Sequence, residues 1–160
     1  MPHLAIDSNI FEHLLNPAWN VDSHINRLLK YLQEERFDLC VDVNRRIASE
    51  YDRVIVPIIK NRDEGSFERY ILSYWMIYST RKKVAVEEND ERMKCIKGII
   101  VENELVDKIF VYIACSEDCK LITNDIGHIL SRRTELLKKT RKKYRGANTD
   151  FLSSLEASRI

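Results

Sequence analysis

The chain has 160 residues, 44% of them hydrophobic. That is enough apolar surface for one globular domain with a single core, and it excludes a disordered chain. Lysine and arginine number 26 against 25 acids, a formal net charge of +1, so overall charge by itself points to no polyanionic partner. Cys40, Cys95, Cys115 and Cys119 show no C-x-x-C spacing, which favours reduced thiols of a cytosolic protein over a disulfide framework. Cys115 and Cys119, four apart, leave open a weaker reading as a soft metal site with His128.

No signal peptide is expected, because Asp7 interrupts the amino-terminal apolar stretch before an h-region forms. Apolar segments such as Val54 to Ile59, which contains Pro57, are far too short to span a bilayer. The expectation is a cytoplasmic protein with no membrane partner, a single domain over 1–160 without repeats or low-complexity linkers.

The first element is a short apolar strand, His3-Leu-Ala-Ile, ending abruptly in Asp7-Ser8-Asn9. A carboxylate at the carboxyl end of a buried strand sits where open α/β sheets place their ligands. Ser8 to Leu15 reads as a short helix capped by Ser8 or Asn9 and closed by Asn16-Pro17. A helix over about 22–36 follows, with Ile25, Leu28, Leu29 and Leu32 on one stripe. Phe37 to Val43 alternates apolar and polar residues, the pattern of a second strand.

From Asn44 a helical pattern resumes, with Ile47, Tyr51 and Val54 on one face and Glu50 beside them. On spacing alone Glu50 is more readily a snorkelling surface residue than a ligand. Pro57 should kink or end this helix. After a charged loop at 61–65, Ser66 to Lys83 carries Phe67, Tyr70, Ile71, Tyr74, Trp75 and Tyr78 at three-and-four spacing. That spacing favours a helix packed on the core over an aromatic surface for stacking bases. The same helix is the candidate contact surface for a homodimer, since it offers more large apolar groups than a small core absorbs.

Lys83 to Glu87 reads as a short strand, and Asn89 or Asp90 caps a helix through Met93 and Ile96 toward Gly98. Glu102 to Glu117 is a further helix, with Val106, Ile109, Phe110, Ile113 and Ala114 on its buried face and Glu104 and Asp107 sharing a side. Lys120 to Thr123 is a strand that runs into the turn Asn124-Asp125-Ile-Gly127. A basic helix over about 131–145 follows. It holds Arg132, Arg133, Lys138, Lys139, Arg141, Lys142, Lys143 and Arg145 against Glu135 alone, a local net charge of +7. A solvated charged face and a phosphate-binding face both fit that composition. The tail reads as a last strand or turn plus one helical turn. Strands alternating with helices predict an α/β fold with a mainly parallel sheet covered on both faces.

Four acids, Asp7, Glu50, Asp107 and Asp125, therefore end strands or lie on helices beside apolar neighbours. Carboxylates crowded near a core raise one another's pKa and destabilise the fold without a counter-charge. A divalent metal supplies that charge.

Asp7-Ser8-Asn9 after a first strand, Glu50 in Ile47-Ala-Ser-Glu-Tyr51, Asp107 in an apolar helix that reaches Ala114, and the strand Leu121-Ile-Thr-Asn-Asp125 together resemble the PIN-domain nucleases. The resemblance spans residues 3 to about 130 and is greatest to small prokaryotic members, many of them toxin ribonucleases of toxin-antitoxin pairs. It implies a three-layer sandwich around a central, mainly parallel sheet. It also implies a metal site of Asp7, Glu50, Asp107 and Asp125, with Asn9 and Thr123 in support and Glu104 as an accessory acid or alternative ligand. The implied activity is a metal-dependent endoribonuclease using Mg²⁺ or Mn²⁺, hard cations that oxygen ligands select. The basic residues from Arg132 to Arg145 would hold the phosphate backbone. The implied partners are RNA, with single-stranded or flap DNA as the alternative substrate, an antitoxin-like protein inhibitor and a second copy of the chain.

Two rivals stand beside this reading. A PIN-like RNA-binding or assembly module without turnover is disfavoured by retention of all four acids. A phosphatase or receiver-type domain is disfavoured because a haloacid-dehalogenase-type enzyme needs a second aspartate where Asn9 stands, and no receiver set of paired acids and late lysine assembles.

Overall fold

The computed structural model describes residues 2–13, 27, 34, 37–61, 63–66, 69–70, 72–73, 82–144 and 147–159, with the side chains of 143 and 144 excepted. In chain order the elements are β1 (His3–Ile6), α1 (Asn9–His13), β2 (Asp38–Asp42), α2 (Arg46–Asn61), β3 (Lys82–Val84), α3 (Glu91–Ile99), α4 (Leu105–Ser116), β4 (Lys120–Ile122), a 3-10 turn (Leu130–Arg132), α5 (Arg133–Tyr144), β5 (Asp150–Leu152) and α6 (Ser154–Ala157). The helix expected over 22–36 and most of the aromatic helix from Ser66 lie outside the described residues.

The five strands form one parallel sheet in the order β3-β2-β1-β4-β5, consistent with a three-layer α/β sandwich. Leu4 pairs with Leu39 on one side and Lys120 on the other, Ile6 pairs with Ile122, and Ile122 with Leu152. Ala5, Ile6, Leu39, Cys40, Leu121 and Phe151 are all buried. Consecutive buried residues are what a parallel strand covered on both faces requires. In a parallel sheet all strands end on the same edge, so Asp7, Asp42 and Thr123 follow or close their strands together.

Local chemistry closes each element. Asp42 caps α2, its two carboxylate oxygens accepting from the Arg46 and Ile47 amides at 3.1 and 2.9 Å. Asp90 caps α3 through the Arg92 amide at 2.8 Å, and Ser153 with Glu156 forms a capping box on α6. Asp118, at φ +46°, accepts from the Asn148 and Thr149 amides at 2.9 Å each and so ties the end of α4 to the start of β5.

Two expectations change. Pro57 does not end its helix: α2 runs on to Asn61, because the missing amide costs one hydrogen bond while Val54, Ile55 and Ile58 remain buried on either side of it. The helix at 105–116 has more than one buried face. Every residue from Lys108 to Cys115 is buried, because α4 packs against β1, β2 and β4 and also against α2, α3 and α5. A helix buried all round is a core element.

Candidate metal centre

Asp7 is 3% exposed at the point where β1 gives way to α1. Its Oδ2 accepts from Thr123 Oγ1 at 2.7 Å and Asn9 Nδ2 at 2.9 Å. Its Oδ1 accepts from the Asn9 amide at 3.2 Å and the Ser8 hydroxyl at 3.4 Å. Asn9 also bonds Thr123 Oγ1, and its Oδ1 accepts from the Asn124 amide at 3.0 Å. The ends of β1 and β4 are therefore stitched together by side chains: Asn9 touches the first aspartate, and Thr123, the hydroxyl before the last acid, also reaches Asp7.

Beneath this junction Tyr51 of α2 donates to the Ile6 carbonyl. Its ring meets Phe11 edge-on at 5.7 Å and Phe110 at 6.3 Å. Tyr51 thus joins α1, α2 and α4 under the last residue of β1.

Asp107, one turn into α4, and Asp125, in the turn after β4, meet through His128. His128 Nδ1 lies 2.9 Å from Asp107 Oδ2 and 3.2 Å from Asp125 Oδ2. The turn is self-supporting: Asp125 Oδ1 accepts from the His128 amide at 2.8 Å, and the Asp125 amide donates to Thr123 Oγ1 at 3.0 Å. Thr123 therefore touches the first acid and the backbone of the last.

The electrostatics show uncompensated negative charge. Burial pushes the Asp7 carboxyl up to about 6, against the pull of its hydrogen bonds, with Asp125 adding to the rise. Burial likewise pushes Asp107 up to about 7, helped by Asp7 and Asp125. Burial acts to lower His128, but the two carboxylates override it and its pKa is raised. A single imidazole against three acids is a deficit of positive charge, and the half-buried carboxylate oxygens of Asp107 and Asp125 are the ligand type that divalent cations take. The donor set fits such an ion.

Glu50 lies at the rim of this group, joined by Ser8 Oγ at 3.4 Å, the same hydroxyl that touches Asp7. It already has a counter-ion: Arg53 bonds both its oxygens, at 3.1 and 2.5 Å, and holds its carboxyl below the usual range. Glu104 is exposed at the N-cap position of α4 and makes no side-chain cap bond. Asp107 is the acid its turn delivers to the cluster.

Among the basic residues, Arg132 pairs with Glu102 at 2.5 and 2.8 Å, and Arg133 with Asp150 and Glu156 at 2.9 and 2.8 Å. Lys139 pairs with Glu135 at 2.7 Å. Lys138, Arg141 and Lys142 are exposed on α5 and form no ion pair among the described residues. The side chain of Lys143 and the whole of Arg145 lie outside the described residues. A groove of about 550 Å³ runs along α5, lined by Arg132, Thr134, Glu135, Lys138, Lys139 and Lys142 together with Ser131. Its first lining residue, Ser131, donates to the Ile126 and Gly127 carbonyls of the turn that follows Asp125.

His128 is the functional residue that sequence reasoning missed. Its signal is the spacing Asp125-x-x-His128 immediately after a strand. Its engagement by two aspartates also takes it away from Cys115 and Cys119, both buried, so the soft-metal grouping of those three is not formed.

Among the described residues a second donor group, His3, Cys40 and Glu117, lies at the opposite edge of the sheet. There the chain provides its own cation. Lys82 Nζ is 2.5 Å from Glu117 and 3.0 Å from both imidazole nitrogens of His3.

Compared with family models, curated proteins and solved structures, the chain matches none. No helix among the described residues is long and apolar enough to cross a membrane.

Proposed function

We propose that this chain is a metal-dependent endoribonuclease. The observation that carries the reading is the convergence of Asp107 and Asp125 on His128 at the carboxyl edge of a parallel sheet, with Asp7 close enough to raise Asp107. Carboxylates in that state call for a bound cation, and the resemblance to PIN-domain nucleases supplies the corresponding chemistry.

Asp107 and Asp125 hold the divalent ion, and Asp7 stands behind them as fixed negative charge, its oxygens taken up by Thr123, Asn9 and Ser8. When bound, the ion lowers the pKa of an attacking water and offsets charge that develops on the phosphoryl oxygens. The chain's own work is positioning. Thr123 and Asn9 hold Asp7 and the Asp125 turn in fixed relation, Glu50 is held at the rim by Arg53, and Lys138, Arg141 and Lys142 attract the phosphate backbone along α5. A groove lined by Lys138, Lys139 and Lys142 favours an extended polyanion over a small phosphomonoester.

The test is cleavage of end-labelled single-stranded RNA and DNA with Mn²⁺, Mg²⁺ or EDTA, comparing wild type with Asp107→Asn and Asp125→Asn proteins of verified fold. Metal-dependent cutting of RNA that both substitutions abolish supports the reading. Cutting of DNA alone moves the substrate class, and RNA binding without cutting favours a non-catalytic binding module.

A further inference from the structure

Three side-chain atoms converge at the acid edge, and one of them is nitrogen. His128 Nδ1 is 2.9 Å from Asp107 Oδ2 and 3.2 Å from Asp125 Oδ2, and one ligand atom from each residue lies within 4.8 Å of the others. Adjacent ligands on one ion, with bonds of about 2.1 Å, lie about 3 Å apart. The spacings on both sides of the imidazole match that value. In the metal-free molecule hydrogen bonds to the imidazole gather the two carboxylates, and a cation that replaced them would find the ligand atoms already in place.

We propose that His128 is a direct ligand at this centre, so that the site takes a transition-metal dication of the Mn²⁺ class in preference to Mg²⁺. The inference rests on the metal-dependent reading above and adds to it the identity of the ion. Imidazole nitrogen suits first-row transition ions, whereas Mg²⁺ takes oxygen and retains its waters. The local sequence keeps the nitrogen in place. Asp125 and His128 come from one four-residue turn closed by the His128 amide on Asp125 Oδ1, and Thr123 fixes the Asp125 amide. Asp7 has both oxygens occupied by hydrogen bonds, which leaves Asp107, Asp125 and His128 as the open face.

The experiment uses the full chain and the metal alone. Pulsed EPR of the Mn²⁺-loaded wild type should show ¹⁴N coupling from a ligating imidazole, absent in His128→Ala. Calorimetric titration should give Mn²⁺ at least tenfold tighter than Mg²⁺ in wild type, with His128→Ala weakening Mn²⁺ at least tenfold and Mg²⁺ less than twofold. Wild type with bound Mn²⁺ but no nitrogen coupling, or with equal affinity for the two ions, overturns the proposal whether or not the variant folds. RNA cleavage without nitrogen coupling leaves the nuclease reading standing and removes this one. Nitrogen coupling in a protein that never cuts does the reverse.

Discussion

The hydroxyl of Thr123 donates to Asp7 Oδ2 at 2.7 Å from 116 positions away in the chain, and the same oxygen accepts from the Asp125 amide and from Asn9. One side chain thus serves as donor to the first acid and acceptor for the turn that holds the last. Replacing Thr123 by Val keeps the shape and removes all three bonds. A hydrogen bond to a charged group contributes about 1.5–3 kcal/mol, so Thr123→Val should cost about 2–3 kcal/mol at pH 8, read by urea unfolding. At pH 5, where Asp7 is largely protonated, the loss should shrink to about 1 kcal/mol or less. An equal loss at both pH values would mean that the bond to the Asp7 carboxylate is not what the hydroxyl provides.

The metal-free protein should lose stability as pH rises from 5 to 7.5. Asp7 and Asp107 are raised in the folded chain, so the native state binds more protons than the unfolded chain in this window, and each group's contribution is lost as pH passes its folded pKa. His128, raised by the two carboxylates, acts with the same sign: its contribution is complete below its unfolded pKa and lost as pH rises through the folded one. A rise of Asp7 from 3.8 to about 6 corresponds to about 3 kcal/mol. Glu50 and Glu156 are lowered, so their contributions are lost only at more acid pH. Thermal melts in EDTA should therefore fall across the window, and Mn²⁺ at pH 7.5 should recover the loss. A flat profile in EDTA would show that burial does not raise Asp7 and Asp107 in the folded chain.

The bases along α5 should separate by their partners. Lys138→Ala with Lys142→Ala should weaken single-stranded RNA binding and reduce the salt slope by about 1.4, at about 0.7 for each phosphate left without its lysine, with little change in melting temperature. Arg133→Ala should do the opposite, because Arg133 ties α5 to Asp150 of β5 and Glu156 of α6. Fluorescence anisotropy across a salt series reads one effect and thermal melting the other.

Tyr51→Phe tests the support under the junction. It leaves the ring packing on Phe11 and Phe110 and removes the bond to the Ile6 carbonyl, at a cost of about 1 kcal/mol by equilibrium unfolding. Tyr51→Ala also removes the ring, and should cost about 3–5 kcal/mol.

The sheet is legible in the sequence because its strands are short apolar runs ended by polar turns, and the caps because Asp90 and Ser153 stand just before helical spacing begins. Asp7, Asp107 and Asp125 are legible as acids at element ends. The support that Asn9 gives Asp7 is legible only through the family resemblance, and the bond from Thr123 to Asp7 not at all. Other features depend on approaches that no local pattern encodes. Arg132, Arg133 and Lys138 belong to one basic stretch, yet the acids that engage the two arginines come from 17 to 30 positions away. The all-round burial of α4 reflects six neighbours, whereas periodicity reports only its most apolar face. His128 has only its spacing from Asp125 as a signal in the sequence, because its contact with Asp107, 21 positions earlier, is made by the fold.

The order β3-β2-β1-β4-β5 puts the first strand to be synthesised in the middle of the sheet and its second neighbour 117 positions after its own first residue. Asp7 is made early, but Thr123 follows 116 positions later, with Asp125 and His128 after it. The acid centre therefore has no partial form on a growing polypeptide. If the chain cuts RNA, that activity begins only once the segment that carries His128 has joined Asp7 in the folded sheet.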